Sequence, residues 1–435
     1  MSMRQLLKKA IPTAVFDAAE PYGHLAESML MTARHGHPAK QMRFIGVTGT
    51  NGKTTTTTMI FTMLREAGYN VALLSSTTYG FRDDIRQQVN HMTTDPAPVM
   101  QQKLRSFAEA GAEWVVVEAS SHALAQHRVW GLPFEIAVMT NVTHEHLDYH
   151  KTFERYREAK RRLFKVTAKH GMKFGVVNAE DPAYELFAGT VPHSTSYGLQ
   201  VGDVTARDIV LTSDTCQFTA VAGKDTYDIT IRIPGEFNVQ NALAAVVVGR
   251  KLGLTKRQIE QGLAAFAGVE GRMMRIDEGQ AYMAMIDYAG TPDAFERAFK
   301  ALRPAVKGKL VVVFGSPAHR DKLKRPVQGE IAGRYADEVI LTEEDDRDEP
   351  GQEIMDQMAA GAEKVGKVQG KDLFLIGNRQ EAIEFAVKRV SGSDDMIVTL
   401  GKGHEKTIER ADGVYPWSEP EVLRAAIRAT LTPGE

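Results

Sequence analysis

The stretch RFIGVTGTNGKTTTTTM, residues 43–59, constrains the fold more than any other part of the chain. Phe44, Ile45 and Val47 form a short apolar run of the kind a buried parallel strand requires. Gly49 and Gly52 break it. Lys53 and a run of threonines follow, and Met59, Ile60, Phe61 and Leu64 then recur at a helical period. Strand, glycine loop, Lys-Thr and helix together cradle a nucleotide triphosphate. The glycines let backbone N–H groups approach the phosphates, and the helix N-terminus adds partial positive charge. In that arrangement Lys53 reaches the β- and γ-phosphates and the Thr54 hydroxyl a Mg²⁺. The strict phosphate-loop spacing asks for glycine where Val47 stands, so the physical context carries the reading and the regular pattern does not. The plainer alternative is a glycine turn before an ordinary helix. Gly-Lys-Thr directly behind a strand argues against it.

The same alternation continues along the chain. Apolar β-type runs at 71–74, 114–117, 136–140 and 174–178 alternate with helical patterns at 99–110 and 153–168, and a further helical stretch, 25–34, leads into the first strand. This predicts a mainly parallel sheet covered by helices. Between about 194 and 233 the texture changes to short alternating runs (204–210, 217–221, 227–233), which predict a small antiparallel sheet. Helices at 238–252 and 256–266 close this part, and 268–279 reads as a hinge. Beyond it, strands at 283–287, 310–314, 338–341, 373–376 and 396–400, with helices such as 293–302 and 380–390, predict a Rossmann-like doubly wound unit. The expected α/β organisation is therefore a short extension over 1–40, a P-loop ATP-binding domain over 41–270 and a second α/β domain over 271–435.

At 435 residues, two or three domains are expected. A net charge of −2 gives no electrostatic case for nucleic acid or an anionic membrane. The single cysteine, Cys216, rules out an intramolecular disulfide and any multi-cysteine metal site, and fits a reducing cytoplasm. No apolar run reaches membrane-spanning length. The N-terminal MSMRQLLKKAIPTAVFD is basic but lacks the long apolar core of a signal peptide, and reads as a short amphipathic helix.

Loops at the ends of parallel strands are where open α/β sheets bind ligands. The run 114–117 ends in Glu118 followed by Ala-Ser-Ser-His, and a carboxylate there suits a hard cation. The run 136–140 ends in Asn141, then THEHLDYH. His144, His146, Asp148 and His150 are dense enough to suggest a metal site. A zinc hydrolase fragment is a weaker alternative, because further ligands at recognisable positions are missing. For His150 a helix surface is the plain reading.

In this order the chain carries TGTNGKTTT, EASSHALAQHRV, TNVTHEHLDYH, EAKRRLF, NAEDPAY, GEFNVQNALAA, GRM, DYAGTPDA, RDKLKRP, LTEEDDRDEP and GKGHE. Over roughly nine-tenths of its length it resembles the Mur ligases, and within them the MurE branch. The resemblance implies activation of a substrate carboxylate by ATP to an acyl phosphate, followed by attack of an amino acid's amine to form an amide. It implies ATP and two Mg²⁺ as cofactors. Thr54 and Glu118 hold one ion, with Thr77 a weaker candidate. His146 and a carbamylated Lys160 hold the second, and with Lys53 these make the catalytic set. For Lys160 the plain alternative is a solvated helix lysine; only the matching Glu-Ala-Lys reverses it. The same resemblance places Gly49, Thr50, Asn51, Gly52, Lys53, Thr54, Thr55, Asn141, Asn178, Asn238, Asn241, Arg272 and Asp287 on the ATP side, with Asp181 in support. Asn238 and Asn241 equally read as caps of the helix that follows the glycine turn. Thr93, Thr94, Ser120, Gln126 and Arg128 match acceptor-binding positions. Arg320, Glu344, Asp345, Arg347, Gly401 and Glu405 fall where the incoming amino acid binds: Glu405 suits an ammonium, and Arg320 or Arg347 a carboxylate. The acidic run 343–349 also reads as a solvated loop.

Three departures bear on the substrates. About 40 residues precede the first strand, fewer than a domain needs. The expectation is a uridine moiety held less tightly, an acceptor that is not UDP-linked, or a partner protein that supplies the missing surface. The family's Asp-Asn-Pro-Arg reads Glu344-Asp345-Asp346-Arg347 here. The retained Arg347 favours a distal carboxylate on the amino acid, as in diaminopimelate, while the lost Asn and Pro remove an amide and a backbone restraint. Gly290 replaces a histidine beside the ATP site. Beside these three, Thr94-Asp95-Pro96 is a smaller shift from the family's Thr-Pro-Asp next to the acceptor site. The competing readings are a Mur-type ligase acting on an amino-acid polymer or other small carboxylate, as in the two-domain folylpolyglutamate synthetases, or an ATP-binding scaffold that docks on a partner. Small-molecule substrates, no nucleic acid or membrane partner, and a monomer or weak oligomer are expected.

Overall fold

The computed structural model describes residues 13–88, 92–143, 145–212 and 214–431. The N-terminal helix expected over 1–17 lies largely outside these, as does His144. The expected helix at 25–34 is the end of a longer one, Thr13–Arg34.

The first sheet has eight strands: β1 (Arg43–Thr48), β2 (Val71–Leu74), β3 (Thr78–Phe81), β4 (Asp84–Gln87), β5 (Trp114–Glu118), β6 (Phe134–Met139), β7 (Phe174–Asn178) and β8 (His193–Tyr197). Their order is β4-β3-β2-β5-β1-β6-β7-β8. All pairings are parallel except β2–β3 and β3–β4. The core strands β1, β5, β6 and β7 are apolar on both faces, as a sheet covered by helices on each side demands. One face is covered by the helix Lys53–Glu66, itself backed by Glu236–Lys251 and Lys256–Ala264. The other is covered by Phe153–Thr167, whose Tyr156, Leu163 and Phe164 pack with Phe44 and Phe134. Because β1 lies between β5 and β6, with Val47 opposite Glu118 and Thr48 opposite Met139, the loops after these three strands emerge side by side.

A three-stranded antiparallel sheet follows: β9 (Thr205–Leu211), β10 (Cys216–Ala222) and β11 (Asp225–Ile231). Along β10 the buried residues Cys216, Phe218, Ala220 and Ala222 alternate with more exposed ones, the period of a sheet with one wet face. The third sheet contains β12 (Met274–Ile276), β13 (Met283–Asp287), β14 (Leu310–Phe314), β15 (Glu338–Leu341), β16 (Leu373–Leu375) and β17 (Met396–Leu400), in the order β12-β13-β17-β14-β15-β16. Apolar clusters fill both of its faces, so it is doubly wound as expected. The hairpin β18 (Thr407–Arg410) and β19 (Gly413–Pro416) stands apart.

The structure corrects four local expectations. Part of the expected hinge, 274–276, is an antiparallel edge strand on β13. The polar run 193–197 is a parallel edge strand and not the start of the antiparallel sheet. Two short hairpins, β3–β4 and β18–β19, were not expected, because their residues are mostly exposed and carry little apolar period. The halves of the molecule touch through Phe237, which packs on the core of the six-stranded sheet, and through a hydrogen bond from Asn51 Nδ2 to Asp293 Oδ2 at 2.7 Å.

Candidate active site

The loop after β1 is built by close approach. Gly52 has φ +80° and caps the helix Lys53–Glu66, and a Cβ there would lie 2.4 Å from Asn241 Oδ1. A Cβ on Gly49 would lie 1.8 Å from Thr140 Oγ1. Both positions therefore demand glycine for different reasons, one torsional and one steric. Asparagine and threonine side chains then fix the loop. Asn51 N–H donates to Asn141 Oδ1 at 2.9 Å, and Thr140 Oγ1 and Asn141 Nδ2 donate to Asn51 O at 2.6 and 3.1 Å. Thr50 Oγ1 lies 2.8 Å from the Tyr156 hydroxyl.

At the start of the helix the Thr54 hydroxyl donates to Glu118 Oε1 at 3.0 Å, and Ser76 N–H to Glu118 Oε2 at 2.9 Å. Ser76 Oγ is 2.9 Å from Thr54 Oγ1. Thr77, the sequence candidate, faces Ser75 instead at 3.3 Å, so Ser76 takes the position beside Thr54. Lys53 donates to Thr50 O at 2.8 Å, and loss of solvation lowers its pKa. Lys160 is 1% exposed, donates to Gly49 O at 2.5 Å and lies 4.4 Å from the Tyr156 ring centre. It is a buried lysine directly behind the loop, not a solvated helix residue. Burial first, and the charge of Lys53 second, hold its pKa well below the ordinary lysine value.

His146 takes a left-handed backbone (φ 55°) and packs edge-on against His122, ring centres 4.7 Å apart. Burial, with His146 and His150 nearby, drops His122 to about 2, so that ring is neutral. His150 is buried rather than on a helix surface. Among the described residues no three His, Cys, Asp or Glu side chains form a ready-made metal cluster.

One cleft of about 340 Å³ runs between the two large sheets. Loop residues 50–55, Thr93, Glu118, Asn141 and His146 line one wall, with Asn238 and Asn241 from the helix that backs the loop. Neither asparagine caps that helix: its N-cap is Gly235, Asn238 Nδ2 donates to Pro234 O at 2.6 Å, and Asn241 Nδ2 to Asn238 Oδ1 at 3.0 Å. Arg272, Asp287 and the expected amino-acid-side residues from Arg320 to Glu405 line the opposite wall. Arg272 lies over the Tyr288 ring at 4.4 Å, and Asp287 accepts N–H bonds from Met273 and Ala289.

Gly49, Thr77, Lys160 and Asn178 stand behind the lining. Asn178 Nδ2 braces Thr140 O at 2.9 Å, and Asp181 accepts from Val142 N–H at 2.7 Å. Thr94, Ser120, Gln126 and Arg128 form one cluster beside the cleft. Thr94 Oγ1 donates to Glu118 O at 2.8 Å, and Arg128 donates to Thr94 O at 2.9 Å through Nη1 and to Gln126 Oε1 at 2.5 Å through Nη2 and 2.9 Å through Nε.

On the far wall Lys402, which sequence reasoning left unassigned inside GKGHE, is fully buried. It donates to Asp345 Oδ1 at 2.9 Å and Glu405 Oε2 at 2.5 Å, and Tyr288 OH donates to Glu405 Oε1 at 3.1 Å. The start of the 343–349 run is thus not a solvated face, since Glu343, Glu344 and Asp345 are buried, while Asp348 is exposed as that reading expects. Ser76, Glu145, Tyr288, Lys324 and Glu409 also reach the site or its edge without an individual sequence signal.

With phosphate-type chemistry on one sheet and charges suited to a zwitterion on the other, the molecule belongs to the enzymes that activate a carboxylate with a nucleotide and pass it to an amine. The chain is a member of the Mur ligase family, ATP-dependent, ADP-forming acid–amino-acid ligases: residues 47–249 match the Mur ligase middle domain and 271–403 the Mur ligase, glutamate ligase domain. It is 40% identical over 423 residues to the UDP-N-acetylmuramyl-tripeptide synthetase of Roseiflexus sp. (strain RS-1), covering 94% of this chain and 82% of that one. Among solved structures it is similar to a UDP-N-acetylmuramoyl-L-alanyl-D-glutamate–2,6-diaminopimelate ligase, at 31% identity and TM-score 0.63, covering 90% of this chain and 79% of that chain. The Mycobacterium tuberculosis folylpolyglutamate synthase complexed with ADP shares the fold, with TM-score 0.72 at 16% identity over 94% of each chain. Enzymes of the family use ATP and Mg²⁺. Among the described residues no helix is long and apolar enough to cross a membrane.

Proposed function

We propose that this chain is a MurE-type ligase that joins an amino acid to the free carboxylate of a UDP-N-acetylmuramoyl-dipeptide, forming ADP and phosphate. The observation that carries the reading is the shared cleft, with the Lys53–Thr54–Glu118 wall facing the Arg320–Glu344–Glu405 wall. The names of the relatives supply the acceptor class. A division near residue 270 gives each wall its own domain, 41–270 and 271–435.

In this scheme the acceptor carboxylate attacks the γ-phosphate of ATP and ADP leaves. The amine then attacks the acyl carbon and phosphate leaves. Lys53 and the loop N–H groups answer charge on the phosphates, a task of positioning and electrostatics more than of covalent chemistry. Thr93 and the Thr94–Ser120–Arg128 cluster hold the acceptor beside Glu118. Arg272 and Asp287 take the nucleoside side.

The donor set fits Mg²⁺. The Thr54 hydroxyl and Glu118 carboxylate converge at 3.0 Å, both are buried, and hard oxygen ligands are what that ion requires. When bound, it neutralises phosphate charge. For a second ion, His146 and Lys160 are the candidates. A buried lysine with a lowered pKa carries the neutral amine that adds CO₂, losing a proton to become an anionic carbamate.

The test is phosphate release from ATP with each substrate omitted in turn. Release should require both UDP-N-acetylmuramoyl-dipeptide and an amino acid. Steady ATPase activity without the amine, or turnover only with simple γ-carboxylate polymers, would overturn the reading.

A further inference from the structure

The amino-acid end of the cleft is lined by Arg320, Glu344, Arg347, Glu405 and Glu409. An α-amino acid brings one carboxylate, and a diamino dicarboxylate brings two. Arg320 is exposed with no ion-pair partner among the described residues, and so can meet one carboxylate. Lys324 is committed to Gly290 O at 2.8 Å. Arg347 is the remaining cation on this lining, and its charge is already answered. Arg347 Nε donates to Glu409 Oε2 at 2.7 Å and Nη1 to Ala318 O at 3.1 Å. The backbone repeats the link: Arg347 N–H donates to Glu409 O at 3.1 Å, and Glu409 N–H to Asp345 Oδ1 at 2.9 Å. The 344–347 loop is thereby strapped to β18, with Glu409 held against the guanidinium.

Glu344, on the same loop as Arg347, is 7% exposed and lines the cleft. Among the described residues no donor hydrogen-bonds to its carboxylate, which packs so close to Gly401 that a Cβ there would lie 2.4 Å from Oε2. A buried carboxylate that faces a cavity without a direct partner is a seat for an ammonium. The retained arginine alone points to a distal carboxylate on the substrate; the ion pair reverses that expectation.

We propose that Glu409 sets the amino-acid specificity: by neutralising Arg347 it makes the pocket select an amino acid whose side chain ends in an ammonium, of the lysine or ornithine class, over a diamino dicarboxylate such as diaminopimelate. The inference rests on the ligase reading above. Glu409 acts through Arg347 and is a positioning residue, not a catalytic one.

The experiment compares kcat/KM for lysine, ornithine and meso-diaminopimelate by phosphate release, with UDP-N-acetylmuramoyl-dipeptide, ATP and Mg²⁺, in the wild type and in Glu409→Gln. The glutamine keeps the shape and frees the arginine's charge. The wild type should favour lysine or ornithine at least tenfold over diaminopimelate. Glu409→Gln should cut that ratio tenfold or more, chiefly through a lower KM for diaminopimelate. A wild type that uses diaminopimelate equally or better overturns the proposal, as does a variant that loses both substrates in equal measure or leaves the ratio unchanged. Calorimetric titration of lysine and diaminopimelate into the wild-type protein separates the two readings. If no amino acid elicits phosphate release, the ligase reading fails, while the binding preference still decides the role of this pocket.

Discussion

At the scale of single residues, two buried ionisable groups carry testable consequences. Burial raises the Glu344 carboxyl from its ordinary 4.5 to about 7, against the opposing pull of Lys324, Lys402 and Arg379. An acid whose pKa is higher folded than unfolded holds its proton more tightly in the native state. Its contribution is therefore intact below about 4.5 and is lost as pH rises through 7. Glu344→Gln removes that loss. Between pH 4 and pH 8 the variant should gain on the order of 3 kcal/mol relative to wild type, read from paired chemical-unfolding curves. A pH-independent difference would show that Glu344 ionises normally. The same variant should weaken the amino acid, since a site built for a ligand charge is bought with native stability. Lys160→Ala should abolish most phosphate release, on the order of 10²-fold or more if the side chain supplies an anionic ligand. Small carboxylic acids should restore part of it. Full activity in the variant would leave the buried lysine a purely structural role.

At the scale of elements, the six-stranded sheet is clamped at the ends of β15 and β17 by Arg379, which is fully buried. It donates to both oxygens of Glu419 at 2.9 and 2.7 Å, to Leu400 O at 2.8 Å and to Glu343 O at 3.2 Å. One side chain so ties the helix Arg379–Val387, the end of β17, the loop after β15 and the helix Glu419–Leu431. Arg379→Ala strands a buried carboxylate and should cost about 3–5 kcal/mol, measured as a lower urea midpoint at unchanged m-value. A loss below 1 kcal/mol would mean that the pair contributes little. Elements of this kind divide sharply in how legible they are. The strands Val71–Leu74 and Leu310–Phe314 are continuous apolar runs, Met396–Leu400 is broken only by Thr399, and their bounds follow from the sequence. The hairpins β3–β4 and β18–β19 are invisible for the opposite reason: they are held by backbone pairing, with little buried apolar area to impose a period. In the site, Lys53, Thr54 and Glu118 follow from chemistry at strand ends. Ser76 and Lys402 escape because nothing local marks which polar side chain a turn will aim inward. Glu409 escapes because its importance lies in a pairing with Arg347, 62 positions away.

At the scale of the whole molecule, the proposed scheme needs an amine held by one sheet to meet an acyl group formed on the other. The halves must therefore close on each other with the nucleotide in place. Asn51 stands where that closure would be sensed. Its N–H and carbonyl are held by Asn141 and Thr140 from the end of β6, while its side-chain amide donates to Asp293 across the cleft. Asp293 opens the helix Pro292–Leu302 and is also paired with Arg297 at 3.0 Å, so its orientation is set from its own side before the halves meet. A hydrogen bond to a charged partner contributes roughly 1.5–3 kcal/mol, enough to shift an open–closed equilibrium by about 10–100-fold. Phe237 packs on the core of the six-stranded sheet independently of this bond, a second tie between the halves. Asp293→Ala should consequently lower kcat about tenfold while the KM for ATP changes less than threefold, because the loop proposed to hold the phosphates keeps its own bonds to Asn141 and Thr140. Solution scattering with a bound non-hydrolysable nucleotide should show a larger radius of gyration for the variant than for wild type. An unchanged kcat with unchanged scattering would place the closure signal elsewhere along the cleft, and a raised KM for ATP alone would make Asn51 a nucleotide contact whose bond to Asp293 is incidental.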